Sequence, residues 1–247
     1  MDVRRKSRTR VSRGIVSLLL AMLPAASLQA EPSMAERRFA ELSGIAGFQA
    51  YHPDLRFRQL GLGAYAEGNH EEALRRFLRA ARFADKPSQA MVAEAYWHGR
   101  GVEVDRALAY VWMDLAAERG YPDFIQFRER YWQELTDAER ERALAIGPAV
   151  FDEYADEVAQ PRMAAWLLRG RSKATGSRTG FVGSLAVQVM DGDAPGGVRT
   201  YNGRDYYATE YWKPREYWRL QDEIWRAPVR ERVEVGDPTT VQAPAED

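Results

Sequence analysis

The sequence contains no cysteine among its 247 residues. This absence excludes a disulfide scaffold, a thiolate metal site, a cysteine nucleophile and a lipid anchor attached to cysteine. Histidine is scarce as well: His52, His70 and His98 lie far apart and form no H-x-x-x-H or H-E-x-x-H pair. We therefore expect no metal site, and we expect each histidine to be a surface or helix-capping residue.

Common catalytic signatures are also missing. The chain has no GxxxxGK[ST] phosphate loop, no G-x-G-x-x-G turn and no S-x-x-K nucleophile motif. Around Ser177, the threonines Thr175 and Thr179 stand where a nucleophile elbow needs glycine. Since 45% of the residues are hydrophobic and 29% are charged, the composition is that of an ordinary globular protein. We predict a folded protein that is not an enzyme and binds no cofactor.

Positive charge is concentrated at the amino terminus. Residues 1–30 hold six of the 35 basic residues and one of the 36 acidic residues, so the rest of the chain carries a net charge of −6. The basic head is followed by 17 uncharged residues, 14–30. This order is typical of a secretory signal peptide over residues 1–30. Cleavage is predicted after Ala30, with Ala26 or Ser27 as alternatives.

Two other interpretations of this segment are a nucleic-acid arm and an uncleaved membrane anchor. The apolar run argues against the arm, and the acidic remainder of the chain argues against any nucleic-acid partner. Pro24 interrupts a run that is already shorter than the roughly 20 residues a membrane span needs. We predict a periplasmic or secreted protein with no stable membrane span after signal removal.

Residues 55–160 show helical periodicity, preceded by an N-terminal linker over 31–54. The first four helices are predicted at Leu55 to Ala66, at His70 to Ala84, from a cap at Ser88 to about His98, and from a cap at Asp105 to Gly120.

An internal repeat relates these helices. Ala64-Tyr65 matches Ala95-Tyr96 at an offset of 31, while Ala73 matches Ala109 at an offset of 36. The five extra residues fall in a turn, around 100–104. An insertion confined to a turn, with the helical positions kept in phase, is what a repeating helix pair predicts.

The segment AYWHGRGVEVDRALAYVWMDLAAERGYP, residues 95–122, resembles a Sel-1-like repeat, a relative of the tetratricopeptide repeat. The features that carry the resemblance are the tyrosine, the G-x-G-V turn, Asp105, and the AA-x-x-G ending. Residues 64–81 resemble the shorter tetratricopeptide form. The resemblance implies a right-handed α-solenoid whose inner face receives a protein or peptide.

We therefore predict an all-α solenoid with repeats at 55–87 and 88–122 and a degenerate third repeat at 123–160. In the third repeat, Thr136 and Glu139 form a capping box, and a helix from Leu144 to Val158 is expected to break at Gly147-Pro148.

A small α+β appendage is predicted over 161–236, followed by a disordered tail at 237–247. Its expected elements are a short helix at Met163 to Arg169, a strand within Phe181 to Met190, a hairpin turn at Asn202-Gly203, a helix from Pro214 to Trp225 and an edge strand at Val229 to Val235. The aromatic residues Tyr211, Trp218 and Trp225 are spaced seven apart, and we expect them to dock on the helical stack.

Two groups of residues are candidate binding sites. Glu94 and Trp97 are predicted to contact a partner in the groove, because an exposed tryptophan is a plausible binding anchor; packing against the next repeat is the alternative for Trp97. Arg171, Lys173 and Arg178 lie in a segment rich in glycine and hydroxyl residues, predicted as a loop that could hold an anion.

The function predicted from these patterns is that of an exported protein–protein interaction scaffold, which binds a protein or peptide of the cell envelope in its concave groove. The alternative is a cell-envelope enzyme, or a protein that binds peptidoglycan or another carbohydrate, with its site in the appendage.

Overall fold

The computed structural model describes residues 33–175, 185–190 and 197–226, and most of these residues are helical. The helices, in chain order, are α1 (Met34–Ser43), α2 (Ala46–Gln49), α3 (Pro53–Ala66), α4 (His70–Ala81), α5 (Lys86–His98), α6 (Arg106–Ala116), α7 (Pro122–Glu134), α8 (Asp137–Tyr154), α9 (Asp156–Thr175), α10 (Gly203–Tyr206), α11 (Thr209–Trp212) and α12 (Pro214–Arg226). A 3₁₀ turn (Ala117–Arg119) follows α6, and the strands β1 (Ala186–Met190) and β2 (Val198–Asn202) form an antiparallel pair.

The first helices pack in the order in which the chain forms them. Helix α3 packs on α4, α4 on α5, and α5 on α6, while α6 contacts both α7 and α8. Successive helix pairs therefore build one side of the molecule, which we call the helix-pair region (53–154).

The internal repeat corresponds to equivalent local structure. Helices α4 and α6 are capped by the side chains of Asn69 and Asp105, which are 36 residues apart. The turn glycines Gly68 and Gly99 both have positive φ angles, 78° and 67°. The two helix pairs therefore have matching caps and turn glycines at the predicted offsets.

Small side chains fill the core of the helix-pair region. Alanines with almost no exposed surface lie along α4, α5 and α6, where helices approach closely. They are Ala73, Ala80, Ala81, Ala90, Ala93, Ala107, Ala109 and Ala116. Because alanine also has the highest helix propensity, the residues that favour the helices also let them pack at short range.

Two predictions about helix boundaries were wrong. Helix α5 is capped by Asp85, whose side chain accepts a hydrogen bond from the backbone N–H of Ser88 at 3.1 Å, so Ser88 lies inside the helix. Helix α8 continues through Pro148 without the expected break. Proline leaves the carbonyl of Leu144 without its helical donor, but the Leu144 side chain is 67% exposed, so water can reach this turn.

The segment predicted as a linker, 31–54, is largely helical from Met34 onward. Helices α1 and α2 contribute Phe39 and Phe48 to an aromatic core that also contains residues of α9 to α12. We call this core the terminal cluster; it comprises Phe39, Leu42, Ile45, Phe48, Leu55, Met163, Leu167, Tyr206, Tyr211, Trp212, Tyr217 and Leu220. The two ends of the described chain are therefore packed together.

In the C-terminal part of the described chain, the position of the hairpin turn and the length of one helix differ from the predictions. The hairpin joins β1 to β2, with Met190 opposite Val198, and is not centred on Asn202-Gly203. Instead, the Asn202 side chain caps α10 by accepting a hydrogen bond from the backbone of Arg204 at 2.9 Å. The expected short helix at 163–169 is part of the 20-residue helix α9, while the predicted helix beginning at Pro214 is confirmed.

Several predictions lie outside the described residues. They are the signal peptide, residues 181–184 of the expected strand, Arg178, the edge strand at 229–235 and the tail. Among the residues that the structure describes, no helix is both long enough and apolar enough to cross a membrane.

Candidate functional site

Trp97, one of the two predicted groove contacts, is a packing residue. Its ring is 8% exposed and stacks on Tyr131 of α7, with the ring centroids 3.8 Å apart and the planes 9° from parallel. The guanidinium of Arg106 lies over the Trp97 ring, 5.1 Å from the ring centroid. The structure thus has the alternative arrangement, in which this tryptophan packs between helix pairs and is not an exposed anchor.

Glu94, the other predicted contact, lies one turn earlier on α5 and is held at the same junction. Its carboxylate accepts a hydrogen bond from the Tyr131 hydroxyl and lies 3.4 Å from Nε2 of His98. Burial and the Glu94 charge raise the pKa of Tyr131 far above its ordinary value, so Tyr131 remains a donor. The Glu94 side chain keeps 13% of its surface exposed, so it is accessible from one side.

Glu94 borders a small pocket between the first two helix pairs, with a volume of about 10 Å³, enough for about one water molecule. We call it the Glu94 pocket; it is lined by Tyr65, His70, Ala73, Leu74, Phe77, Met91, Glu94, Ala95 and Arg100. Arg100 donates a hydrogen bond to the Tyr65 hydroxyl and has no carboxylate within ion-pair distance among the described residues. The buried Nδ1 atom of His70 has no hydrogen-bond partner there either. The pocket therefore combines a cation, a carboxylate and an unpaired ring nitrogen.

The G-x-G-V turn forms one edge of this arrangement. Gly101 has a φ of 74°, and a Cβ atom at this position would lie 2.4 Å from the backbone nitrogen of Glu71 at the start of α4. Glycine is needed here for both its left-handed conformation and its lack of a side chain. The second glycine of the motif thus lets the turn of one helix pair contact the backbone of the preceding pair.

A second group of polar residues lies where α12 crosses the amino-terminal ends of α3 and α5. The residues enclose a narrow cavity that is too small to hold a water molecule. We call it the Asp54 cavity; it is lined by Asp54, Ala84, Asp85, Lys86, Pro87, Arg119, Tyr121, Trp218, Gln221 and Trp225. Ala84 has a φ of 62°, which is strained for a residue with a side chain.

Asp54 is buried at this cavity with an incomplete set of partners. Its Oδ2 accepts a hydrogen bond from Tyr217, whereas its Oδ1 has no partner among the described residues. Burial and the neighbouring Asp85 carboxylate raise the pKa of Asp54 to about 7. The Arg58 guanidinium is bound to Asp85 at 2.8 Å, so Asp85 has its own cation while Asp54 does not.

Lys86 begins a second buried charge cluster beside the cavity, and this one is fully partnered. Its ammonium contacts Glu118 at 2.6 Å and Asp156 at 3.1 Å, and it donates to the carbonyl of Leu115 at 2.9 Å. Arg119 also binds Asp156, at 2.5 Å. Two cations and two anions therefore balance, and the cluster joins α5 to the turn after α6 and to α9.

His52 occupies the N-cap position of α3, but its side chain makes no cap hydrogen bond; it is fully buried and lies between two backbone carbonyls. Its Nδ1 is 2.8 Å from the carbonyl oxygen of Phe48, and its Nε2 is 2.9 Å from that of Tyr211. Burial lowers the pKa of His52 to about 4, so its ring is neutral at pH 7 and carries one N–H. One contact is then a hydrogen bond, and the other brings a ring lone pair against a carbonyl. His70 and His98 lie at helix ends, and the described residues contain no metal-binding cluster.

The remaining predicted site residues are not brought together as a loop. Arg171 and Lys173 lie in the last turns of α9, because this helix extends to Thr175. The predicted aromatic docking of α12 is found: Trp225 stacks on Phe124 with centroids 6.0 Å apart, and Trp218 lies under the Arg119 guanidinium. Both rings face the protein, so they form no open platform for a sugar.

Sequence reasoning missed Asp54, Asp85, Tyr217 and Gln221. The two acids lie at comparable points, Asp54 just inside α3 directly after Pro53, and Asp85 at the cap of α5 two residues before Pro87. This Asp and Pro pattern signals two helix starts. Nothing in it shows that α12 would bring a tyrosine and a glutamine to the same place.

Comparison of the chain with protein-family models, with curated proteins and with solved structures finds no match.

Proposed function

We propose that this protein is an exported, non-enzymatic binding module of the Sel-1-like type, a right-handed α-solenoid that binds a protein or peptide segment of the cell envelope. The proposal is supported by consecutive helix pairs with equivalent caps and turn glycines, and by the close backbone contact at Gly101. Repeats of this kind present side chains from several helices on one surface.

The observation that carries the proposal is the pair of opposite charges at the rim of the Glu94 pocket, where a peptide would lie across the junction of the first two helix pairs. Glu94 and Arg100 offer an acceptor and a donor of opposite charge, and Tyr65 beside Arg100 adds aromatic surface. A peptide presents both N–H and C=O groups and charged side chains, so this set suits a peptide segment. The pocket lies on elements whose positions are set by the buried alanines, and a preorganised receptor loses little entropy on binding.

Photo-cross-linking in cell-envelope extract tests the proposal. A photoreactive benzoylphenylalanine replaces His98, an exposed residue beside Glu94, and in a control protein it replaces the exposed Arg215 on α12. We expect one defined partner to cross-link from position 98, with a yield reduced at least about fivefold by Arg100→Gln. The matched Arg215→Gln change leaves the yield unaltered. Equal cross-linking from both positions, or none from position 98, would contradict the proposal.

A further inference from the structure

Helix α12 lies across elements that belong to three helix pairs. On α3, Asp54 accepts the hydrogen bond from Tyr217, and Arg58 lies 5.9 Å from the centroid of the Trp225 ring. At the turn before α7, the Tyr121 hydroxyl donates to Oδ1 of Asp222 at 2.7 Å. The start of α5 lines the Asp54 cavity from the remaining side. Helix α12 thus occupies a surface formed by α3, α5 and α7.

The two halves of α12 are held differently. Tyr217 and Leu220, in the first half, are fully buried members of the terminal cluster. The second half (221–226) ends in partly exposed groups: the Asp222 side chain is 28% exposed and that of Arg226 is 56% exposed. We call this second half the covering segment. Its contacts include one hydrogen bond from Tyr121, the stacking of Trp225 on Phe124, the Arg58 guanidinium against the Trp225 ring, the packing of Ile224 on the terminal cluster and one bond from Arg226 to the carbonyl of Arg119.

The interface between the covering segment and the helix pairs is poorly satisfied. Oδ1 of Asp54 and Nε2 of Gln221 are both buried without partners, although both residues line the same cavity. Leaving a buried polar atom unpaired costs about 1–3 kcal/mol. Most buried polar atoms in a helix interface are hydrogen-bonded, so two unpaired atoms facing one cavity mark a weak contact. The covering segment is therefore bound less firmly than the first half of the helix.

The surface beneath the covering segment has a definite chemistry. Tyr121 supplies a hydroxyl donor, Phe124 supplies an aromatic face, and the Arg58 guanidinium, which is paired with Asp85, lies against the Trp225 ring. The covering segment meets these groups with a carboxylate that accepts from Tyr121 and an indole that stacks on Phe124; these groups belong to Asp222 and Trp225, three residues apart. On a helix, residues at this spacing share one face. The surface thus suits a helix that presents an acid and an aromatic residue one turn apart.

We propose that the covering segment is an internal ligand, which occupies a binding surface for a partner's acidic and aromatic helix until that helix displaces it. This inference rests on the proposed function, because it makes the partner of the module a helix and names a second surface at which it binds. A receptor whose surface is internally occupied binds its partner with an affinity reduced by the fraction of molecules in which the surface is open.

Peptide binding to the purified full-length protein tests this inference. The probe is a fluorescent peptide with the sequence of residues 217–226, held helical by a hydrocarbon staple between the exposed positions 219 and 223. In the protein, the double substitution Asp222→Asn and Trp225→Ala removes the contacts of the covering segment while leaving the surface beneath it intact. We expect this variant to bind the probe about 10-fold more tightly than the original protein does. The matched control Glu223→Gln, at a side chain that is 62% exposed, is expected to bind it like the original protein.

Two further measurements decide between the outcomes. A probe that itself carries Asp222→Asn and Trp225→Ala should not bind, and hydrogen exchange should be faster in residues 222–226 than in residues 216–220 of the original protein. A folded variant, verified by circular dichroism, that binds the probe no better than the original protein would overturn the inference. So would equally slow exchange in both halves of α12.

The outcome can be separated from that of the proposed function. Tighter probe binding with no cross-linked envelope partner would support the internal ligand and contradict the proposed function. A cross-linked partner at position 98 with no gain in probe binding would do the reverse.

Discussion

The helix-pair region and the terminal cluster are built from different residues. In the former, buried alanines such as Ala80 and Ala109 let helices that are neighbours in the chain approach closely. In the latter, rings such as Phe48 and Trp212 join segments that are more than 150 residues apart in the sequence. Small residues at helical spacing leave a periodic pattern that can be read locally, whereas scattered aromatic residues do not.

The two regions also differ in how well their buried polar groups are paired. Around Lys86, within the helix pairs, the four charges neutralise one another at distances of 2.5–3.1 Å. Where the terminal segments meet the helix pairs, Asp54 and Gln221 each keep an unpaired buried atom. The charge cluster around Lys86 is fully paired, and the surface between the two regions is not. Three sets of substitutions test the comparison of the two regions, taken in order of expected effect.

Replacing Lys86 by methionine should have the largest effect. The methionine fills a similar volume but leaves Glu118 and Asp156 facing a neutral side chain, and breaking a buried ion pair from one side costs about 3–5 kcal/mol. Urea unfolding should show this loss in the free energy of unfolding. The exposed Lys213, changed to methionine in the same way, should alter it by less than about 0.5 kcal/mol. Similar losses for both variants would show that the buried charge cluster stabilises nothing.

Alanine at glycine positions compares the two regions directly. At Gly101, it would add the strain of a positive φ and a clash with the backbone of α4, together about 3 kcal/mol. At Gly170 in α9, it would contact the rings of Trp212 and Tyr51, and the gain in helix propensity offsets part of a cost of about 1–3 kcal/mol. Gly68 has a positive φ but nothing near its Cβ position, so Gly68→Ala measures the strain alone. Thermal unfolding that ranks Gly170→Ala as more harmful than Gly101→Ala would reverse the comparison.

The pH dependence of stability separates Asp54 from His52. The folded state raises the pKa of Asp54 from 3.8 to about 7, so its contribution is full below pH 3.8 and is lost as the pH rises to 7. The pKa of His52 falls from 6.5 to about 4, so its contribution is full above pH 6.5 and is lost as the pH falls to 4. Between pH 4 and 6.5, the two effects oppose each other.

Removing either group should therefore reveal how the other makes the free energy of unfolding depend on pH. With Asp54→Asn, the free energy of unfolding should rise with pH from 4 to 6.5, by at most about 1.4 kcal/mol per pH unit. With His52→Gln, it should fall over the same range. Guanidinium titrations at half-unit pH intervals measure both slopes, and the exposed Asp137→Asn provides the control. Equal slopes in both variants would show that neither pKa is shifted as described.

Local patterns in the sequence predicted much of the helix-pair region. The cap at Asp105, the Thr136 capping box and the starts of α4 and α12 were found from side chains within a few residues of each helix end. The wrong prediction at Ser88 has the same kind of cause, because Asp85 lies three residues earlier and accepts from the Ser88 backbone N–H, so the helix begins about one turn before Ser88. The Pro148 prediction failed because an exposed helix turn tolerates the missing hydrogen bond.

The predicted site depended on information that the sequence does not contain. From its position on α5, Trp97 is predicted to be an exposed anchor, but the ring of Tyr131 on α7 stacks on it. The sequence predicts a surface or capping role for His52, but its side chain is buried and lies 2.9 Å from the carbonyl oxygen of Tyr211, 159 residues later. Both outcomes depend on which element packs over a given helix face, and helical periodicity gives no information about that.

The sequence by itself determined where α4, α6 and α8 begin and that α5 ends at a left-handed glycine, Gly99. These features follow from interactions within one or two helical turns, which each stretch of chain carries with it. Tertiary structure alone decided that the two ends of the described chain share one aromatic core and that α12 lies over Asp54. Contacts between distant segments depend on the sum of many weak and non-directional apolar interactions, which leave no spacing to be read.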